Sequence, residues 1–368
     1  GAIADYRFEK TVIRTKVRGV YSEVNEIFKG TATQELLDKY QPVMQGLLTA
    51  REMATITKER SRKNGTMELE SNEPKFVLNE DGVCIDVQPR QTGEAEQMIE
   101  QLMVTANQAA AKLAERERLP FVYRVHENPK SLKIESLIEL VSSLGLNFAG
   151  IKKENPSTKE FAEILDQAAG TPAHKVVSYQ ILRTMEKARY ATDPLGHFGL
   201  ALEDYCHYTS PIRRYPDTAI HRILTAFLEQ KGKRYITDHY TGYAQNSAVH
   251  SSEAEVKALV AERSAEDCYM AEYMAQHIGE QFDGIISGVT ARGLFVQLTN
   301  SVEGFVPIDT FVDAEFEFDG MMTQVDRITG DKLTIGMPMR VQAVSADVSS
   351  GRIDFMPASE VGKLTTKR

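Results

Sequence analysis

Two adjacent arginines, Arg213 and Arg214, stand between two prolines in the run His207-Tyr208-Thr209-Ser210-Pro211-Ile212-Arg213-Arg214-Tyr215-Pro216-Asp217-Thr218. His221 and Arg222 follow almost at once. Each guanidinium offers a planar fork of donors that matches the oxygens of a phosphate. Pro211 and Pro216 fix the backbone on either side of Ile212 to Tyr215, so both forks sit on a stiffened turn. That arrangement suits the holding of an anion. Taken singly the residues have ordinary uses, since paired arginines most often make surface ion pairs worth under about 1 kcal/mol.

The whole chain limits what that anion site can serve. With 368 residues, 42% hydrophobic and 26% charged, it is an ordinary soluble composition and long enough for two or three domains. No apolar run reaches the roughly 20 residues of a membrane span, and the first residues show no secretory leader. Cys84, Cys206 and Cys268 are odd in number and widely spaced, which argues for a reducing, cytoplasmic setting and against a disulfide framework. No Cys/His spacing resembles a zinc site. The net charge of −9 excludes a protein that coats nucleic acid with a basic exterior. A local basic channel stays open, because salt screens charges beyond about 8–10 Å.

The elements that must position the turn follow from periodicity. Thr11 to Thr15 reads as a short strand and Val20 to Phe28 as a helix; Thr33 to Arg60 reads as one long charged helix. Phe76 to Val87, around Asn79-Glu80-Asp81-Gly82, is a hairpin. Glu94 to Glu117 is the strongest helix, with Ile99, Leu102, Met103, Ala106, Ala110 and Leu113 on one stripe and Glu100 and Asn107 at its edge. Those two polar residues are either a solvated margin or satisfied groups directed into a site. Further helices are expected over Lys130 to Leu144, stopped by Gly145; over Phe161 to Ala169, opened by the capping box Ser157 to Glu160; and over Ala173 to Tyr190. Helices over Thr218 to Glu229 and Ser251 to His277 complete the series, with a loop at Lys231 to Arg234 between them. Beyond Gly279, short strands and glycine turns fit a five-stranded closed barrel of the OB type, with strands near Phe282 to Thr290, Gly293 to Leu298, Glu303 to Pro307, Thr323 to Ile328, Met339 to Val344 and Arg352 to Phe355.

With those pieces in place, His207 to Arg222 resembles the signature of the RNB family of exoribonucleases, of the ribonuclease R type. Gly196 to Leu202, Val12 to Asn25, Glu100 to Asn107, Tyr123 to Pro129 and Ala261 to Met274 resemble further family segments, in the family's order. Gly284 to Leu298 and Glu303 to Pro307 resemble the S-one RNA-binding domain. The resemblance implies an α+β fold: an RNB catalytic domain over residues 1–277, an OB-fold barrel over 278–358 and a flexible basic tail over 359–368. It implies hydrolysis of single-stranded RNA from a free 3′ end to 5′-mononucleotides, with water activated by two divalent metals, Mg²⁺ or Mn²⁺.

Residue by residue, Arg213 and Arg214 would neutralise charge on the scissile phosphate. Tyr21 matches the family tyrosine that packs on the last nucleotide. Glu262 matches an active-site glutamate, and Glu100 one that contacts the nucleotide end. His197 and His221 are candidates for backbone contacts, and Ser210 and Phe295 complete the expected substrate-binding set. Glu262, Tyr21 and the histidines are, as isolated residues, equally at home as surface or hydrogen-bonding groups. The family's metal-binding aspartates match nothing in this chain. The family expectation places them in an N-terminal remainder, which leaves this chain weak or inactive as a nuclease. A non-catalytic RNA-binding module is the alternative. Asn64, Arg292 and Pro307 replace an arginine, an aromatic and a histidine common in the family.

Overall fold

A computed structural model describes residues 2–67, 73–143, 146, 152, 154, 156–171, 173–320 and 322–361. The chain divides into two compact units, one of Gly1–Glu68, Thr92–Gln167 and Ile181–Glu255, the other of Leu69–Gln91, Ala168–Gln180 and Val256–Arg368. The expected stop at Gly145 and most of the basic tail lie outside the described residues.

The first unit opens with α1 (Tyr21–Lys29), α2 (Gln34–Tyr40) and α3 (Met44–Asn64). The single long helix expected over Thr33 to Arg60 is broken at Gln41–Val43, a 3₁₀ turn containing Pro42, whose missing N–H interrupts the ladder. The strand expected at Thr11 to Thr15 does not form: no strand lies beside it to share hydrogen bonds, and Val12 and Ile13 are 101% and 85% exposed. Val24 and Phe28 of α1 and Ala54 of α3 close on Ala95 and Met98 of α4 (Glu94–Glu117). Asn25 ties this cluster down. Its Oδ1 accepts from the Ala95 N–H at 2.8 Å and its Nδ2 donates to Glu96 Oε2 at 2.9 Å, so a side chain of α1 caps α4 where Gly93 has none to offer. At the far end of α3, Gly65 turns the chain at φ +97°, a conformation that favours glycine, and a Cβ there would strike Thr158 and Lys159.

The second cluster of this unit surrounds the C-terminal half of α4. Ala110, Leu113 and Ala114 pack with Phe121, Val122 and Val125, and with Ile220, Ile223 and Leu224 of α8 (Tyr215–Leu228). The stripe expected on α4 is turned from the one buried: Ile99, Leu102, Met103 and Ala106 are half-buried, whereas Asn107, Ala110, Ala111 and Ala114 are inside. β3 (Tyr123–Val125) pairs antiparallel with β4 (Arg189–Ala191). The helix expected through Tyr190 therefore stops at Thr184, because Arg189 to Ala191 gain a strand partner instead. α5 (Ser131–Ser143) and α6 (Thr158–Ala168) form as expected, and the Ser157 capping box is present, with the Ser157 N–H donating to Glu160 Oε2 at 3.1 Å. α9 runs from Lys233 to Ala275, far longer than expected.

In the second unit β1 (Pro74–Leu78) and β2 (Cys84–Pro89) form the expected hairpin. The barrel closes in the order β11-β12-β7-β6-β5, from β5 (Gln281–Thr290), β6 (Gly293–Leu298), β7 (Glu303–Pro307), β11 (Pro338–Asp347) and β12 (Arg352–Pro357). Its interior is apolar, with Ile286, Leu294, Val296, Val306, Val341 and Phe355 buried. One assignment differs. The strand near Thr323 is not a barrel stave but β9 (Thr323–Asp326), the centre of a three-stranded sheet with β8 (Phe316–Phe318) and β10 (Lys332–Thr334). Five staves already complete the ring, so a sixth has no edge left to join.

Candidate functional site

The arginine turn is a loop clamped from beneath by two buried polar side chains. Asn107, 3% exposed on α4, accepts from the N–H of Tyr208 at 2.9 Å and of Thr209 at 3.2 Å, and donates to Tyr205 Oη at 3.1 Å. Asp217, fully buried in the first turn of α8, accepts from the Ser210 N–H at 2.7 Å and from Arg214 Nη2 at 2.8 Å. Three consecutive backbone donors, of residues 208 to 210, are thereby taken up by two side-chain oxygens. Ser210 O then accepts from the N–H of Arg213 and of Arg214, and Thr218 Oγ1 donates to Pro211 O at 2.8 Å, closing the loop on itself. Pro216 sits in the first turn of α8, where its missing N–H costs nothing.

This framework separates the two arginines. Arg214 is spent on Asp217: its side chain is 19% exposed, and leaving would strand a buried carboxylate. Arg213 is exposed beside Ile212, which is 102% exposed, and makes no ion pair among the described residues. The free fork at the tip is therefore Arg213.

Behind the turn lies a row of rings. His126 and His197 have centroids 5.2 Å apart, His197 and Tyr205 5.2 Å, Tyr205 and His207 5.7 Å, and His207 and Tyr190 5.7 Å. Tyr190 Oη lies 2.9 Å from His207 Nδ1. Burial, reinforced by Arg214 and Arg124, pushes the His207 imidazole down to about 2; burial with His126 beside it pushes His197 down to about 3. Both are neutral at pH 7 and serve as packed polar rings, not cations. Burial raises the Cys206 thiol well above its usual value, and its Sγ donates to Asn107 O at 3.1 Å, so it is an inert part of the clamp. Arg124 stacks 4.7 Å from the Tyr190 ring centre and pairs with Glu255 at 2.6 Å.

The other expected site residues are distributed. His221 joins the turn: its Nε2 is 3.0 Å from Tyr208 O and its ring stacks on Tyr208 at 4.5 Å. Ser210 lies within the clamp. Tyr21 is 47% exposed at the start of α1, and Glu100 is exposed on α4. Of the polar pair at the edge of α4, Asn107 proves to be the buried clamp and Glu100 the solvated margin. Glu262 is exposed on the part of α9 that belongs to the second unit, where its charge helps raise Glu266 behind the larger effect of burial. Phe295, 36% exposed on β6, packs against Phe305 of β7 at 5.2 Å, presenting two rings on the barrel surface. Asp217 was not singled out from the sequence, although its place three residues after Arg214 is the spacing of a helical ion pair.

Residues 1–230 match the RNB domain, and residues 276–356 match the S1 RNA binding domain. The chain is 34% identical over 356 residues to Ribonuclease R 1 of Lactococcus lactis, covering 96% of this chain and 43% of that protein. It is 33% identical over 366 residues to Ribonuclease R of Thermotoga maritima, covering 98% and 51%. It thus spans about half the length of these curated relatives. Among solved structures it matches the apo form of Mycoplasma genitalium RNase R with a TM-score of 0.85 at 28% identity, over 92% of this chain and 52% of that one. The same RNase R in complex with ribose methylated single-stranded RNA matches with a TM-score of 0.84 at 29% identity, over the same 92% and 52%.

Proposed function

Since the chain belongs to the RNB family, we propose that it is the RNA-gripping part of a ribonuclease R-like enzyme that degrades single-stranded RNA processively from a free 3′ end to 5′-mononucleotides. One observation carries this reading: a turn clamped by Asn107 and Asp217 holds the Arg213 guanidinium out in solvent with no partner, while Arg214 is fixed below it. A fork held ready costs little ordering when a phosphate arrives, and it can stabilise charge growing on the phosphoryl oxygens. Arg213 is thus the group that meets the scissile phosphate. Arg214 acts through the turn and is a positioning residue. Tyr21 offers an exposed ring to the terminal base, and Phe295 with Phe305 offers a stacking face on the barrel. Glu100, Glu262 and His221 take the family's substrate and active-site roles.

The family reaction uses a divalent metal, Mg²⁺ or Mn²⁺, to activate the water. Among the described residues no group of three or more His, Cys, Asp or Glu side chains could hold a metal ion, so the donors present do not fit that centre. The chain's own contribution is therefore binding and positioning, and the aspartates belong to an N-terminal remainder of the enzyme. The same observation favours the second reading, a module that grips RNA without cutting it. In the cell the protein would work in the cytoplasm; no helix among the described residues is long and apolar enough to cross a membrane.

The test is to incubate residues 1–368 with a 3′-hydroxyl single-stranded RNA and Mg²⁺ or Mn²⁺. Tight binding with little mononucleotide release is expected. Robust release would overturn the assignment of the metal ligands to another segment, and no binding would overturn the reading as a whole.

A further inference from the structure

The groove between α8 and the start of α9 belongs to the same compact unit as the arginine turn but lies outside the turn itself. It holds a cavity of about 300 Å³ lined by Thr218, His221, Arg222, Lys231, Tyr235 and Tyr240 together with Thr225, Ala226 and Glu229. Residues 207 to 243 carry six Lys and Arg against three Asp and Glu, in a chain whose net charge is −9. Of those three acids Asp217 is buried, Glu229 is paired with Lys10 at 2.8 Å, and Asp238 lies 3.6 Å from Arg234. The local excess of positive charge is therefore exposed, on Arg213, Arg222, Lys231 and Lys233.

Aromatic rings interleave with these cations. Tyr235, 42% exposed, lies against His239 with ring centres 3.9 Å apart, forming a flat surface at the mouth of the groove. Tyr243 gathers the far wall: its hydroxyl accepts from Tyr215 Oη at 3.2 Å and from Arg222 Nη1 at 3.1 Å. That contact orients the Arg222 guanidinium and leaves its other N–H groups free for an anion. The groove also shares a wall with the turn. Thr218 and His221 line the cavity, and the same two residues hydrogen-bond to Pro211 O and Tyr208 O.

We propose that this groove is a second RNA-contact surface, which takes one nucleotide of a single-stranded RNA with its base on Tyr235 and its phosphate between Arg222 and Lys231. Cations alternating with flat rings are what a sequence-indifferent single-strand site needs: charge tracks the backbone and the rings accept any base. The surface rests on the reading of the chain as an RNA-handling protein and deepens it. It lengthens the contact beyond the 3′-terminal phosphates and makes grip depend on more than Arg213.

The test uses residues 1–368 and a fluorescent poly(A) single strand, titrated across salt, with wild type, Arg222→Glu/Lys231→Glu, Tyr235→Ala and Arg213→Ala. These groove residues are on the surface, and a thermal melt of each variant verifies folding. The charge-reversed variant is expected to bind at least about tenfold more weakly, with a salt slope shallower by about 1.4 for two lost phosphate contacts. Tyr235→Ala is expected to weaken binding with the slope unchanged. Unchanged affinity in both groove variants, with a loss in Arg213→Ala, overturns the second surface and leaves the arginine turn standing. A loss in the groove variants alone supports the surface and overturns the turn's role. AMP that saturates the groove as tightly as the RNA does would make a free nucleotide the occupant, and would overturn the RNA assignment.

Discussion

The arginine turn and the barrel are held in opposite ways. The turn is a loop that could not keep its shape by packing; two buried polar side chains, Asn107 and Asp217, take its amides one by one. The barrel is a closed ladder of backbone hydrogen bonds around an apolar filling, and no single side chain decides its outline. Polar clamps are directional and hold a charged group at a set place, but they fail abruptly when one partner is lost. An apolar ring tolerates many substitutions and fails mainly where volume is wrong. The chemistry sits on the clamped element, where position matters most.

Substitutions should break that contrast in a graded order. Asp217→Ala removes the buried partner of Arg214 and of the Ser210 amide, and is expected to cost about 3–5 kcal/mol in urea unfolding. Asn107→Ala leaves the Tyr208 and Thr209 amides without their acceptor and is expected to cost about 1–3 kcal/mol for each amide that stays buried and unpaired. On the barrel side the sensitive point is a small residue: a Cβ at Gly304 would run into the Phe355 ring, so Gly304→Ala is expected to cost about 1–3 kcal/mol by overpacking. Other substitutions at half-buried barrel positions should cost less, and a barrel residue as sensitive as Asp217 through polar contacts alone would remove the distinction.

Acid should also separate the regions. His207 and His197 are held neutral in the fold, down to about 2 and about 3, whereas the unfolded chain protonates near the ordinary 6.5. Above that ordinary value both states are neutral and nothing changes. Below it the unfolded state binds protons that the fold refuses, so stability falls with falling pH by up to about 1.4 kcal/mol per pH unit for each histidine. Urea unfolding followed from pH 7 to pH 4 should show this slope, and His207→Phe should remove one histidine's share of it. An unchanged slope would mean that the ring behind the turn takes up protons in the fold. The smallest stability change is expected for Arg213→Ala, within about 0.5 kcal/mol, because its side chain is exposed and unpaired.

Much of this architecture was legible in the sequence, and for a physical reason. Glu94 to Glu117 carries a helical period over many turns, and the barrel staves are punctuated by glycine and turn residues, so local signals alone set those elements. The arginine turn was legible as a cluster, because prolines and arginines are unusual together. Its clamp was not. Asn107 meets Tyr208 across 101 residues, and nothing local distinguishes it from Glu100, which the fold leaves in solvent. Likewise, Arg189 to Ala191 form a strand only because Tyr123 to Val125 lie alongside, a partnership that periodicity does not carry. The division of labour between Arg213 and Arg214 has the same origin: it depends on which one faces Asp217.

The most direct test of that division is the affinity of Arg213→Ala for a 3′-hydroxyl single-stranded RNA, measured by fluorescence anisotropy on residues 1–368 beside the wild type. The account predicts a loss of about tenfold or more, of the order expected for a lost charge-assisted phosphate contact, in a protein that melts like the wild type. Wild-type affinity in that folded variant would contradict it.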